Sequence, residues 1–535
     1  MPTECITFKK TNYFSALICD YLEEKKELQP FYNNFPKLEN FKAQIEEKRA
    51  SKTVSVQNRN ILAQALKEQY KNVEASSKTL QNIEDLKLEN TFTITTGHQL
   101  NLFTGPLYFL YKIVSTINLA SQLKQEYPDC NFVPIYWMAT EDHDFDEINY
   151  FNFKGKKVQW NREASGAVGE LSTQGLDKVF DVFTKELGAG KNADTLRDLF
   201  QSAYLKNDNL ADATLYLANA LFASYGLVIV EANNKNLKQL FVPYIEEELV
   251  KQTSFNVVSK TNEKLSQLAS VSKIQVNPRE INLFYLTKNL RERIVFEDQE
   301  YKVLNTNISF SKEEIIKEVK EHPECFSPNV ILRPLYQEVI LPNLCYIGGG
   351  GELAYWLQLK DNFKAVQVPF PMLLLRNSVL IKTQKQAEKL NKLQITNQDL
   401  FLKRDTFINK KVRQISNIDI DFSEQLKQLQ EQFKDLYQLA EQTDKSFIGA
   451  VAAQEKKQIN GLQHLEKRLL TAQKRKLKDQ VARMTELQNQ LFPNASLQER
   501  NTNFSELYLE FGEQLVPKLI AELNPLQGDF TILTM

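Results

Sequence analysis

Residues 91–139 read TFTITTGHQLNLFTGPLYFLYKIVSTINLASQLKQEYPDCNFVPIYWMA. Thr91–Thr95 is a short β-branched and aromatic run that ends just before Gly97. From Leu102 to Leu123 an apolar helical pattern follows, with Pro106 near its start, where proline is tolerated. Asn131–Ala139 is near-continuously apolar, as a strand buried on both faces must be. Strand, turn, helix and strand make one βαβ unit. The expected fold class is therefore α/β, with a parallel sheet whose strands end at Gly97 and near Thr140.

Outward from this unit, residues 1–90 read as polar helices. Leu227–Glu231 is a further strand candidate, and Ser311–Lys320 opens as a helix capped by Ser311 with Glu314 at its third position. The α/β texture returns at Val330–Leu332, Leu344–Ile347 and Val379–Ile381. Beyond Lys382 the sequence turns to Gln, Lys, Glu and Leu. Phe422, Leu426, Leu429, Phe433, Leu436 and Ala440 recur at heptad spacing. A second helix from about Ser446 to Gln490, carrying Ile459, Leu462, Leu469, Val481 and Met484, would extend about 65 Å. The expected division is 1–150 as the first part of the core and 151–330 as insertions. Residues 331–383 form the second part of the core, 384–500 a coiled-coil hairpin, and 501–535 a segment returning to the core. Two helices cover only one stripe of each other, so the hairpin is expected to form a homodimer.

Composition narrows the function. Lys and Arg number 66 against 67 Asp and Glu, so the charge balance gives no reason to expect nucleic acid as a partner. The 17 glycines and 17 prolines in 535 residues exclude collagen-like and Pro/Gly-rich disordered chains. Five scattered cysteines contain no CxxC pair and indicate neither a disulfide framework nor a thiolate metal cage. With no basic-apolar leader and no run of about eighteen apolar residues, a cytoplasmic protein with no membrane partner is expected.

Four segments carry candidate chemistry at the strand ends. In the first, Gly97, His98, Gln99, Asn101, Thr104 and Gly105 stand before a helix, whose N–H groups suit a phosphate or carboxylate; His98 would add a proton or a hydrogen bond. In the second, Glu141, Asp142, His143, Asp144, Asp146 and Glu147 follow an apolar strand. Five acids in seven residues call for a positive partner: Mg²⁺, a substrate ammonium or protein arginines. Four histidines and no paired cysteines make zinc a poorer choice, and no metal ligand is assigned. In the third, Gly348, Gly349, Gly350 and Gly351 precede Glu352 as bare N–H groups able to nest an anion. In the fourth, Arg333, with Gln337 beyond it, and Arg376 each follow an apolar run and can grip a carboxylate or phosphate; either could equally be the counter-ion of the acids. Each segment also has a structural reading: a helix-entry turn, an acidic helical turn, a plain loop, an ion pair. Lys474–Lys478 reads as a solvated coiled-coil flank.

Taken together, TTGHQLNLFTGPLY (95–108), YWMATEDHDFDEIN (136–149), LRPLYQEVILPNLCYIGGGGELAYWLQL (332–359), PMLLLRNS (371–378) and LFPNASLQER (491–500) resemble the cysteine-adding enzymes of bacillithiol biosynthesis, the BshC family. Many members carry TGQQ and GGPGE where this chain has His98 and Gly350. The resemblance implies a Rossmann-like core with connecting-peptide insertions, a dimerising α-helical coiled coil, and a reaction joining cysteine to glucosaminyl malate. Amide formation needs an activated carboxylate, so ATP or another nucleotide is expected, with Mg²⁺ a candidate ion. Gly97, Gly348–Gly351 and Arg333 would stabilise phosphoryl charge. Glu141, Asp142, His143 and Asp144 would supply the base and the ammonium anchor. Two rival readings are a nucleotidyltransferase or synthetase-like enzyme acting on another amino acid, and a non-catalytic coiled-coil scaffold.

Overall fold

The computed structural model describes residues 4–51, 53–443 and 445–535. Contacts divide the chain into two units. One holds the described residues up to Leu380 together with Gln498–Leu533, and the other holds Ile381–Leu497 with Thr534–Met535.

The first unit is built on five parallel strands: β1 (Thr91–His98), β2 (Asn131–Met138), β3 (Val228–Glu231), β4 (Asn343–Gly348) and β5 (Met372–Leu375). Their spatial order is β5-β4-β1-β2-β3. Every residue of β1 is buried, which accounts for its apolar and threonine-rich sequence. The buried hydroxyls are satisfied across the sheet: Thr95 donates to Asn343 Oδ1 at 2.9 Å and Thr96 to the Ile347 carbonyl at 2.7 Å. Pro134 is tolerated inside β2 because pairing with β3 begins only at Ile135, so its missing N–H removes no bond on that side. Helix α1 (Tyr108–Glu126) crosses from β1 to β2. The chain fills the sheet in one direction through β3, then adds β4 and β5 on the other side of β1. The topological switch therefore lies between the C-terminal ends of β1 and β4, where open α/β sheets hold their ligands.

Two sequence expectations shift here. The helix begins at Tyr108 rather than Leu102, because Phe103 and Thr104 adopt positive φ and the Leu107 N–H bonds the Thr502 carbonyl at 2.9 Å. Val330–Leu332 is not a strand; the strand is Phe326–Pro328, and Arg333 opens helix α2 (Arg333–Ile340) with Pro334 in its first turn. The region before it carries an antiparallel sheet that includes Leu283–Thr287 and Leu290–Glu297. Ser311 and Glu314 form the expected capping box. Residues 530–532 pair antiparallel with Glu4–Ile6.

In the first unit a further helix, α3, spans Gly350–Trp356. In the second unit, α4 (Ser423–Glu441) and α5 (Lys445–Lys476) form the hairpin, continued by α6 (Lys478–Leu491). The long helix is thus interrupted at Leu477, within Lys474–Lys478, where like charges three and four residues apart disfavour the helix. At its 32 residues α5 alone spans roughly 48 Å. Phe433, Ala440 and Val451 form its core with Leu429 and Tyr437 against them. Tyr437 takes the inner position expected for Leu436, which is 42% exposed. Among the described residues, no helix is long and apolar enough to cross a membrane.

Candidate active site

A cleft of about 740 Å³ opens at the switch point. Thirteen predicted residues line it: Gly97, His98, Gln99, Glu141, Asp142, His143, Asp144, Arg333, Gly349, Gly350, Gly351, Glu352 and Arg376. Asn101, Thr104, Gly105, Gln337 and Gly348 do not. Asn101, Thr104 and Gly105 form a turn closed by Asn503, whose Nδ2 donates to the Phe103 and Gly105 carbonyls at 2.7 and 2.6 Å. Gly348 is needed for packing: a Cβ there would come within 3.0 Å of Glu352, Leu353 and Tyr346.

One end of the cleft is cationic. Lys112, on α1, donates to the Gly97 carbonyl at 2.7 Å and pairs with Glu352 at 2.6 Å. Glu352 also accepts from the Tyr346 hydroxyl at 2.6 Å and the Gly349 N–H at 2.9 Å. The expected anion nest is therefore occupied by the protein's own carboxylate, at the third position of α3. None of Gly348–Gly351 has positive φ, so at Gly349–Gly351 the glycines leave a cleft wall without side chains rather than meeting a backbone demand. Burial would raise the Glu352 carboxyl, but Lys112, Tyr346 and the Gly349 amide hold it below its ordinary value. Arg333 lies near the faces of Trp137 and Tyr346 and donates to Gln337 Oε1 at 3.1 Å and the Tyr355 hydroxyl at 3.2 Å. Arg376 pairs with buried Glu499 at 2.8 Å. Burial, with the charges of Lys112 and Arg376, keeps the His98 imidazole well below its ordinary pKa, hence neutral. Its ring packs against Tyr108 and Phe109.

The other end is acidic, and its counter-ions are neither Arg333 nor Arg376. Lys238 pairs with Glu141 at 2.8 Å and donates to the Phe326 carbonyl at 2.7 Å. Arg291, from the antiparallel sheet, donates to His143 Nδ1 at 2.7 Å, and its charge acts on Glu141, Asp142 and Asp144. Gln99 donates to Asp142 and Glu147, both at 2.9 Å, tying the β1 loop to the acids. Burial pushes the Asp142 carboxyl up, yet the adjacent His143 side chain, bonds from Gln99 and the His143 amide, and the charge of Arg291 hold it at about 2. Donor atoms of Asp142, His143 and Asp144 lie within 4.8 Å of one another, a set able to hold a metal ion.

Sequence reasoning missed Lys112, Lys238, Arg291, Tyr346, Tyr355 and Glu499 as parts of this site. A lone lysine in the apolar pattern of α1 was the one local signal.

Beneath the acidic end, partly buried Glu231 accepts bonds from the Thr140 hydroxyl and, at 2.8 Å, the Asn233 N–H. Burial raises its carboxyl from 4.5 to about 7. The folded chain then holds a proton that the unfolded chain releases above pH 4.5, so this contribution is complete below 4.5 and is lost as pH rises through about 7. It amounts to about 3 kcal/mol at full titration. Denaturant titrations at pH 5 and pH 8 should show that Glu231→Gln flattens this dependence; an unchanged slope would contradict it.

Comparison with known proteins bears on the whole chain. Residues 1–377 match the family model described as bacillithiol biosynthesis BshC, N-terminal Rossmann-like domain, and residues 379–535 match its C-terminal coiled-coil domain. The chain is 60% identical to a Flavobacterium johnsoniae protein over all of both chains. It is 60% identical to one from Christiangramia forsetii, over 100% of this chain and 99% of the relative. A Cytophaga hutchinsonii protein is 39% identical, over 98% of this chain and 97% of the relative. All three carry the name "Putative cysteine ligase BshC".

Proposed function

The chain belongs to the BshC family of bacillithiol biosynthesis, and from that premise we propose that it is a nucleotide-dependent ligase joining cysteine to glucosaminyl malate. The observation carrying this reading is the bipolar cleft: Lys112, Arg333 and Arg376 at one end, Glu141, Asp142 and Asp144 at the other. Amino-acid activation needs both. A cysteine carboxylate oxygen bonds to a phosphorus of ATP or another nucleotide, and pyrophosphate or the nucleoside diphosphate leaves. The cationic end offsets charge on the phosphoryl oxygens and the leaving group. The cysteine ammonium faces the acids. The glucosaminyl amine then attacks the acyl carbon, nucleoside monophosphate or phosphate departs, and the amine's proton passes to a carboxylate of the acidic end. Mg²⁺ would be held by Asp142 and Asp144 and would supply further neutralisation of phosphate charge. His98, neutral and buried, serves as packing and hydrogen-bonding structure rather than as an acid. Nucleotide consumption that depends on cysteine supports this reading; consumption driven by another amino acid, or none at all, opposes it.

We further propose a homodimer through the hairpin. Leu436, Leu439, Phe447, Ile448 and Leu465 are each more than one-third exposed there, and a second hairpin would cover them. Light scattering at micromolar concentration should give twice the chain mass of 61.9 kDa; a monomer mass would refute the assembly. A cytoplasmic setting accords with five free cysteines, two of them fully or partly exposed.

A further inference from the structure

The cationic end of the cleft carries more positive charge than the chain neutralises. Four cations line it: Lys112, Arg333, Arg376 and Arg500. Two carboxylates answer them, Glu352 at Lys112 and Glu499 at Arg376. Arg333 bonds neutral groups, a glutamine oxygen and a tyrosine hydroxyl. Arg500 is exposed, and its guanidinium makes no hydrogen bond or ion pair among the described residues.

The backbone that carries Arg500 is nonetheless firmly held. Its neighbour Glu499 is fully buried, bonded to Arg376 at 2.8 Å and accepting from the Val379 N–H at 3.0 Å. The Thr502 carbonyl accepts from Leu107, and Asn503 closes the turn before α1. Arg376 lies 5.1 Å from the centre of the Tyr108 ring, and the charge of Arg500 acts on the same tyrosine's hydroxyl. A fixed backbone presenting an unbonded guanidinium to a cleft with uncompensated charge is the arrangement of a ligand-binding arginine.

We propose that Arg500 is an anion-binding, specificity-determining residue. With Arg333 it receives a doubly charged anion, and the C-terminal segment after the hairpin thereby completes the cleft. This rests on the ligase reading and deepens it. Two reactants in that reading offer the required chemistry, the malyl dicarboxylate of the acceptor and the polyphosphate of the nucleotide.

Calorimetric titration of the full-length chain with malate and, separately, with inorganic pyrophosphate tests the assignment. Arg500→Gln should weaken at least one probe tenfold or more without moving the melting temperature, and Arg500→Lys should restore part of the loss. A loss confined to malate assigns Arg500 to the acceptor; a loss confined to pyrophosphate assigns it to the nucleotide. In turnover, KM for the matching reactant should rise while kcat changes less. Binding of both probes by Arg500→Gln as tightly as by the unaltered chain would overturn the proposal, as would binding of neither probe by the unaltered chain. Because calorimetry requires no turnover, absence of a cysteinyl product would count against the ligase reading while leaving the binding result intact.

Discussion

Arg333→Met should lower kcat/KM about a hundred- to a thousandfold while leaving the chain about as stable as before. The guanidinium is surrounded by Trp137, Tyr346, Gln337 and Tyr355 and is bonded to no carboxylate. The guanidinium is only partly buried and forms no ion pair whose loss would strand a buried partner, and methionine fills much of its volume. What would be lost is the group that meets the anion. Thermal melts and steady-state kinetics on one preparation separate the two effects. Wild-type kinetics would contradict the account, and so would a large fall in melting temperature.

Glu499→Ala should behave in the opposite way. It leaves buried Arg376 without its carboxylate and the Val379 N–H without its acceptor. Removing one partner of a buried pair costs about 3–5 kcal/mol, because the remaining charge stays buried. The denaturation midpoint should fall accordingly and activity with it. Replacing both partners, as Arg376→Met with Glu499→Leu, should recover much of the stability but not the activity. If the double variant is no more stable than Glu499→Ala, the stabilising role given to this pair is wrong.

These residues also show how far the sequence could be read. β1 and β2 were legible because a parallel strand covered on both faces must be apolar along its length. The acids after β2 and the glycines after β4 stood out because such composition is unusual at a strand end. Their partners were not legible. Lys238 and Arg291 reach the acids from segments roughly 100 and 150 positions away, a proximity that only the tertiary fold creates. The helix start was misplaced for the same reason: Asn503 and Thr502 bond the turn at 103–107, and no local pattern encodes a segment returning from 400 residues away. Gly348–Gly351 reads as open to an anion, with Glu352 beside it as a binding residue, because nothing in the local sequence shows that the Glu352 carboxylate itself takes the Gly349 N–H. In the hairpin, heptad counting chose Leu436, while the structure turns Tyr437 inward, its hydroxyl donating to Glu455 at 2.9 Å.

In the proposed reaction the bipolar cleft activates cysteine and joins it to an amine. The direct measurement is mass spectrometry of the full-length chain incubated with glucosaminyl malate, cysteine, Mg²⁺ and each nucleotide triphosphate in turn. A cysteinyl amide of glucosaminyl malate is expected, formed with one nucleotide cleaved per product and about a hundredfold or more slowly in Arg333→Met. Folded protein that yields no such amide with any nucleotide would contradict it.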